Sequence, residues 1–322
     1  MKNNIFILFF LLLGFAAAAC DFCNCYLGIN PHYKKNTFGL RYHHMPYRGT
    51  QTSPLVLESN GLTKKDFWET KNEIELHGQW YPIQRLQVIA SLPYVINTEG
   101  ASEKAMAAST HLHADGAVHS HGSALKTNHG IGDPLVLVHY QLFNKVGSDS
   151  ASFNHRLLAG GGVKIPVGAY KIKEGEEAHE RNHLPGTGSL DVLLSAVYLG
   201  RINNTGYNLN ASYLFAGTNS QQFAFGNKFN INLTTYRQIE LKEWSVLPNL
   251  GLYYEQAAKE WNADHYVQNS GGSVTYAHAG CDVYIKKTSF NIGFQLPVAR
   301  KLNGHQAEIS YRVITGLSYS LN

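Results

Sequence analysis

A two-residue alternation of apolar and polar side chains, renewed segment after segment, restricts this chain more than any other feature. Ile74, Leu76, Gly78 and Trp80 fall on one side of one segment, and Glu73, Glu75, His77 and Gln79 on the other. Near the end, Ile309, Tyr311, Val313, Thr315, Leu317, Tyr319 and Leu321 oppose Ser310, Arg312, Gly316, Ser318 and Ser320. Period two is the signature of a strand with two different faces. Apolar faces of the same kind recur over 86–94, 136–142, 157–165, 190–198, 207–215, 225–233, 246–254, 277–285 and 290–298. With a first strand around Phe38, Leu40 and Tyr42, the pattern predicts about twelve strands.

A soluble sandwich would turn the apolar faces inward, and a membrane barrel would turn them out to lipid. Three features favour the barrel. Most segments reach the roughly 9–11 residues that a tilted strand needs to cross a bilayer. Aromatics such as Trp80, Tyr81, Tyr94, Tyr198 and Tyr207 sit near segment ends, where interfacial girdles lie. The opposite faces carry Gly, Ser, Asn and isolated charges rather than dense Lys and Glu, which suits an enclosed wet interior. Closure also pairs every backbone group, which lipid demands and an open sheet cannot provide. The expected fold is therefore all-β, a transmembrane antiparallel up-and-down barrel. Short turns near 81–84, 200–205 and 286–288 alternate with long polar stretches at 97–131, 168–186 and 257–275, the asymmetry expected between its two rims.

The N-terminus sets the address. Lys2, an apolar run from Ile5 to Phe15 and the small residues Ala16 to Ala19 follow the order of a secretory signal. The run is too short for a spanning helix, which needs about 20 apolar residues. The expected division is a signal at 1–19, a Cys-containing segment at 20–37 and the barrel at 38–322. Cleavage before Cys20 leaves it free, whereas lipoprotein processing would acylate it; Ala17 stands where that signal usually has an aliphatic residue. The expected location is the outer membrane of a Gram-negative bacterium, with its lipid as a partner. A net charge of +4, scattered along the chain, offers no surface for nucleic acid.

Gly132-Asp133-Pro134 opens one strand, Gly162-Val163-Lys164-Ile165-Pro166-Val167-Gly168 closes the next, and Gly186-Thr187-Gly188-Ser189-Leu190-Asp191 opens the one after. On these Gly-rich strand edges, residues 70–322 resemble the bacterial outer-membrane family named for the MetA pathway of phenol degradation. The resemblance implies a twelve-stranded channel or transport protein for small hydrophobic or aromatic compounds, and it brings no catalytic residues. The chain departs from such barrels in ending Leu321-Asn322 rather than on an aromatic, and in two ligand-rich additions.

The first addition is Cys20-x-x-Cys23-x-Cys25. Thiolates so spaced can hold Cu(I) or Zn(II), and in an oxidising compartment they can instead pair as a disulfide. The second is His111-x-His113 and His119-x-His121, with His129 just after. In extended chain, His two apart share a side and can offer two imidazoles to one ion; the alternative is a polar, solvated loop of biased composition. Cys281 lies within a strand and reads as an inert small side chain. His43, His44 and Met45 could add ligands, or simply form a strand edge. On the face read as the lumen, Glu73, Glu75, His77, Asp133, His139, Arg156, Lys164, Asp191 and Arg312 could set selectivity, or pair with one another and plug the interior. No G-x-S-x-G, P-loop or dinucleotide fingerprint is present, so an enzyme is not expected. The leading expectation is an outer-membrane channel or transport component for copper or zinc. The alternatives are a channel for small hydrophobic or aromatic compounds and a non-transporting surface barrel.

Overall fold

A computed structural model describes residues 35–52, 64–101, 110–112, 118–120, 125–147, 152–171, 178–304 and 306–321. Twelve antiparallel strands follow one another around a closed ring. They are β1 (Thr37–Thr52), β2 (Lys64–Ile83), β3 (Leu86–Ala101), β4 (Leu125–Ile131 and Leu135–Lys145), β5 (Asn154–Lys164) and β6 (Asp191–Ile202). The ring continues with β7 (Thr205–Phe215), β8 (Lys228–Arg237), β9 (Trp244–Ala257), β10 (Gly272–Ile285), β11 (Thr288–Leu302) and β12 (Glu308–Ile309 and Arg312–Ser320). Each pairs with its sequence neighbour, and β1 pairs with β12 to close the barrel. No edge remains along the ring, so lipid meets only satisfied backbone.

Side-chain parity follows the alternation in the sequence. Leu40, Ile74, Leu76, Leu92, Val138, Leu194, Leu209, Leu233, Leu250, Leu252, Ile292, Phe294 and Leu317 are exposed on the outer wall. Their neighbours Arg41, Glu73, Glu75, Ser91, His139, Ser195, Asn210, Asn232, Asn249, Gln295 and Arg312 are buried inside. Trp80, Tyr140, Tyr207, Trp244 and Tyr319 stand exposed toward the rim of tight turns, and Trp68, Tyr94, Tyr213 and Phe215 toward the opposite rim. These are two aromatic girdles around an apolar band, the surface of a barrel that sits in lipid.

The turn between β6 and β7 is only Asn203-Asn204, with Asn203 at φ 50, in the left-handed region that Asn tolerates. Gly200, read from sequence as the start of that turn, instead lies within β6 and pairs with His155. β3 runs to Ala101 and pairs with Leu125–Ile131, so the long stretch predicted from 97 is strand at both ends. Ile309 departs from the predicted outer face. β12 is interrupted between Ile309 and Arg312, where the Ser310 N–H donates to the Pro46 carbonyl. The break shifts the parity and turns Ile309 inward, where it is buried against Met45, Tyr47, Tyr253, Val274 and Tyr276.

Residues 1–34 lie outside the described residues, so the signal, most of the segment expected at 20–37 and Cys20, Cys23 and Cys25 are not placed, while Thr37 already belongs to β1. His113 and His121 also lie outside. His111 and His119 are opposite one another in a short hairpin, Thr110–Leu112 against Val118–Ser120.

Candidate functional site

The enclosed face of the barrel is the candidate site, and its polar groups fall into three clusters. The first ties together the glycine-rich strand edges. Asp133, in the break of β4, accepts hydrogen bonds from the Val167 and Gly168 N–H groups through Oδ1 and from the Thr187 N–H and hydroxyl through Oδ2. Lys164 Nζ lies 2.6 Å from Asp191 Oδ2 and 3.8 Å from Asp133 Oδ2, and donates to Thr187 Oγ1 at 3.0 Å. Asp191 Oδ1 also accepts from Ser189 Oγ and the Gly217 N–H. The motif residues thus fold the segment after β5 back onto the barrel wall. Gly168 and Gly186 are required by this approach, since a Cβ on Gly186 would meet Gly168 backbone at 2.5 Å. The same segment brings His183 to 3.4 Å from Glu69 and 3.3 Å from Glu99, while Asn97 donates to its carbonyl.

The second cluster lies on β1 and β2. Arg41 Nη1 donates to Glu75 Oε2 at 3.1 Å, and His43 Nε2 lies 3.6 Å from the same oxygen. Glu73 stands directly opposite His43 in the register. His77, two residues further along β2, is half-buried with Nε2 3.2 Å from Ser318 Oγ. The third cluster spans β9 to β12. Arg312 donates to Gln295 Oε1 and Glu255 Oε2, and its guanidinium lies 4.8 Å from the Tyr276 ring centroid and 5.7 Å from that of Tyr253. Tyr276 donates to Glu255 Oε1 at 2.6 Å.

Between the charges lie two apolar surfaces. Ile89, Leu135, Leu137, Leu193 and Leu214 pack together from β3, β4, β6 and β7. Met45, Tyr47, Tyr253, Val274, Tyr276 and Ile309 pack from β1, β9, β10 and β12. One is centred near β5 and the other near β11, six strands apart in a ring of twelve, so they occupy opposite sides of the barrel. Gly160 and Gly162 on β5 offer no side chain between them. A Cβ at either would fall within 2.2 Å of a β4 carbonyl.

Of the nine residues expected to face the lumen, Asp133, Lys164 and Asp191 form one network and Glu73, Glu75 and His77 lie along one strand. Arg312 belongs to the third cluster, and fully buried His139 has Nδ1 3.0 Å from Gln87 Oε1. Arg156 is half-buried on the inward parity of β5. His129 lies on the outside wall, exposed, with Nδ1 2.8 Å from the Tyr94 hydroxyl. Arg41, Tyr253, Glu255 and Tyr276 were missed in the sequence. All four alternate with faces already read as apolar, so parity alone would have found them. Cys281 is half-buried and has no disulfide partner among the described residues.

Over residues 84–313 the sequence matches the model of a family described as Putative MetA-pathway of phenol degradation. No curated protein sequence matches the chain. An outer membrane channel from Pseudomonas putida F1 is similar in structure, with TM-score 0.58 at 13% identity, covering 91% of this chain and 100% of that one. The transport unit of the Escherichia coli autotransporter AIDA-I is less similar: TM-score 0.46, 10% identity, 92% of this chain and 94% of that one. The P. putida toluene transporter TodX gives TM-score 0.41 at 9% identity, covering 89% and 90%. The first likeness, the closed ring and the apolar outer wall agree: this is an outer-membrane barrel of a Gram-negative bacterium.

Proposed function

The chain belongs to the family described as Putative MetA-pathway of phenol degradation, and from that premise we propose that it is a channel for small hydrophobic compounds of the aromatic class. The observation that carries this reading is the pair of apolar surfaces, one of them rich in tyrosine, on opposite sides of the enclosed face. Ligand sites for such compounds are lined mainly by apolar and aromatic side chains with a few placed polar groups. Here Arg312, Glu255 and Gln295 lie beside Tyr253 and Tyr276, a polar set next to aromatic faces. The polar and charged groups on the same inner face, Glu73, Glu75, His77, His139 and Arg156 among them, tune which solutes pass.

This reading favours the hydrophobic cargo over the copper or zinc transport suggested by the Cys and His motifs. The family description points to phenol chemistry, and the described residues supply apolar lining for it. Proteoliposomes test the choice. Flux of an aromatic acid should exceed that of empty vesicles and should drop several-fold in Leu137→Asn, which places an amide on the fully buried β4 surface. Aromatic flux equal to that of empty vesicles, with zinc flux above it, would reverse the assignment.

A further inference from the structure

We propose that His43, Glu73 and Glu75 form a binding site for a divalent transition-metal ion on the inner wall of the barrel. The site follows from register. His43 on β1 is directly opposite Glu73 on β2, and Glu75 is the diagonal neighbour, paired with Arg41. Directly opposed residues place their Cβ atoms about 4.5–5.5 Å apart and point to the same side of the sheet. One nitrogen of His43 and one oxygen from each carboxylate all lie within 4.8 Å of one another. His43 Nε2 to Glu75 Oε2 is 3.6 Å. That is close to the spacing of two ligands each about 2.0–2.2 Å from a shared tetrahedral ion.

The partners of these atoms point the same way. Glu73 is 3% exposed and Glu75 1%. Glu73 Oε1, Glu75 Oε1 and His43 Nε2 are buried without a hydrogen-bond partner. A buried carboxylate oxygen left unserved is costly, and a cation held among the three side chains would take one ligand atom from each. Arg41 donates to Glu75 Oε2 and fixes the orientation of that carboxylate, as outer-shell partners do around metal centres. One imidazole with two carboxylates suits zinc or a similar borderline ion rather than Cu(I), which prefers sulfur. The ion would clamp β1 to β2 and add positive charge to the enclosed face. This inference does not depend on what the channel carries.

Zinc is the probe. The full chain, purified in detergent, is loaded with zinc, dialysed, and its bound metal counted. Any zinc held elsewhere is common to all variants. His43→Ala and Glu73→Gln should each lose about one equivalent relative to the unaltered chain. Each should also abolish the zinc-dependent rise in the temperature at which the barrel loses its heat-modifiable gel mobility. Crystals soaked in zinc should give an anomalous peak at the zinc edge within coordination distance of His43 Nε2, a readout that needs no variant to fold. Equal zinc content and equal thermal shift in folded variants, or no peak beside His43, would overturn the site. Neither result would bear on aromatic flux.

Discussion

The carboxylates of Asp133 and Asp191 and those of Glu73 and Glu75 are equally buried, yet the barrel serves them in opposite ways. Asp133 takes three backbone N–H groups and a hydroxyl, and Asp191 takes Lys164, a hydroxyl and a backbone N–H. Glu75 has Arg41, while an oxygen on each of Glu73 and Glu75 stands unpartnered. The difference separates two uses of buried charge. A saturated network fixes where a chain segment goes, and here it holds the fold-back after β5. An unsaturated one has capacity left for a ligand. Asp133, Lys164 and Asp191 therefore read as architecture, even though they lie on the enclosed face.

The sharpest way to break this comparison is Lys164→Met. It removes the cation that both aspartates share and leaves two charges facing each other at depth. Losing one partner of a buried pair costs about 3–5 kcal/mol. Urea unfolding in lipid vesicles should show a loss of that order, with residues 165–171 and 178–190 exposed to protease. A loss below about 1 kcal/mol would mean that the network is not what holds the segment.

Asp133→Asn should cost less, about 1–3 kcal/mol. The amide keeps one acceptor oxygen for Val167 and Gly168, but its NH2 group then faces the Thr187 N–H, donor against donor. Proteolysis should reach the segment after β5 before the barrel itself unfolds. Intact loop protection in Asp133→Asn would shift the anchoring role to Lys164 and Asp191.

Glu260, outside the membrane strands between β9 and β10, is an intermediate case. Burial pushes its carboxyl up to about 7, against the pull of Lys228, Asn182 and Arg181. A folded-state value above the unfolded one means that the native loop binds more protons between the two. The packing of this loop therefore weakens as pH rises from about 4.5 to about 7. Hydrogen exchange of residues 258–271, corrected for chemical rate, should be slower at pH 5 than at pH 8. Glu260→Gln should remove that dependence and leave the barrel transition in place. A loop equally protected at both pH values would put Glu260 with the saturated carboxylates.

How much of this could be read from the chain depends on which interaction decides each feature. Parity decides which side chains face lipid, and parity is written directly in residues such as Ile74, Leu76, Glu73 and Glu75. Ile309 escaped because a two-residue break in β12 resets the count, and nothing in Ser310-Tyr311 announces a break. The Asp133–Lys164–Asp191 network was visible as three charged residues in glycine-rich edges, but their contact joins positions 133, 164 and 191 through strand order. The alternation in each strand carries no information on that. His43 illustrates the same limit more strongly. Beside His44 and Met45 it reads as a strand edge, and only the β1–β2 register sets it opposite Glu73 rather than Glu75 or Lys71.

The smallest expected effect lies at the other pole of the comparison. In buffer containing a chelator, Glu73→Gln should change barrel stability by no more than about 0.5 kcal/mol. The substitution keeps the volume and replaces a carboxyl whose Oε1 has no hydrogen-bond partner to lose. A slight stabilisation would sharpen the contrast with Asp133→Asn, where the same change of an acid to its amide sets a donor against a donor. Urea midpoints of the two variants, measured side by side, decide it. If Glu73→Gln costs as much as Asp133→Asn without metal present, Glu73 is already fully served inside the barrel, and the two clusters are architecture of one kind.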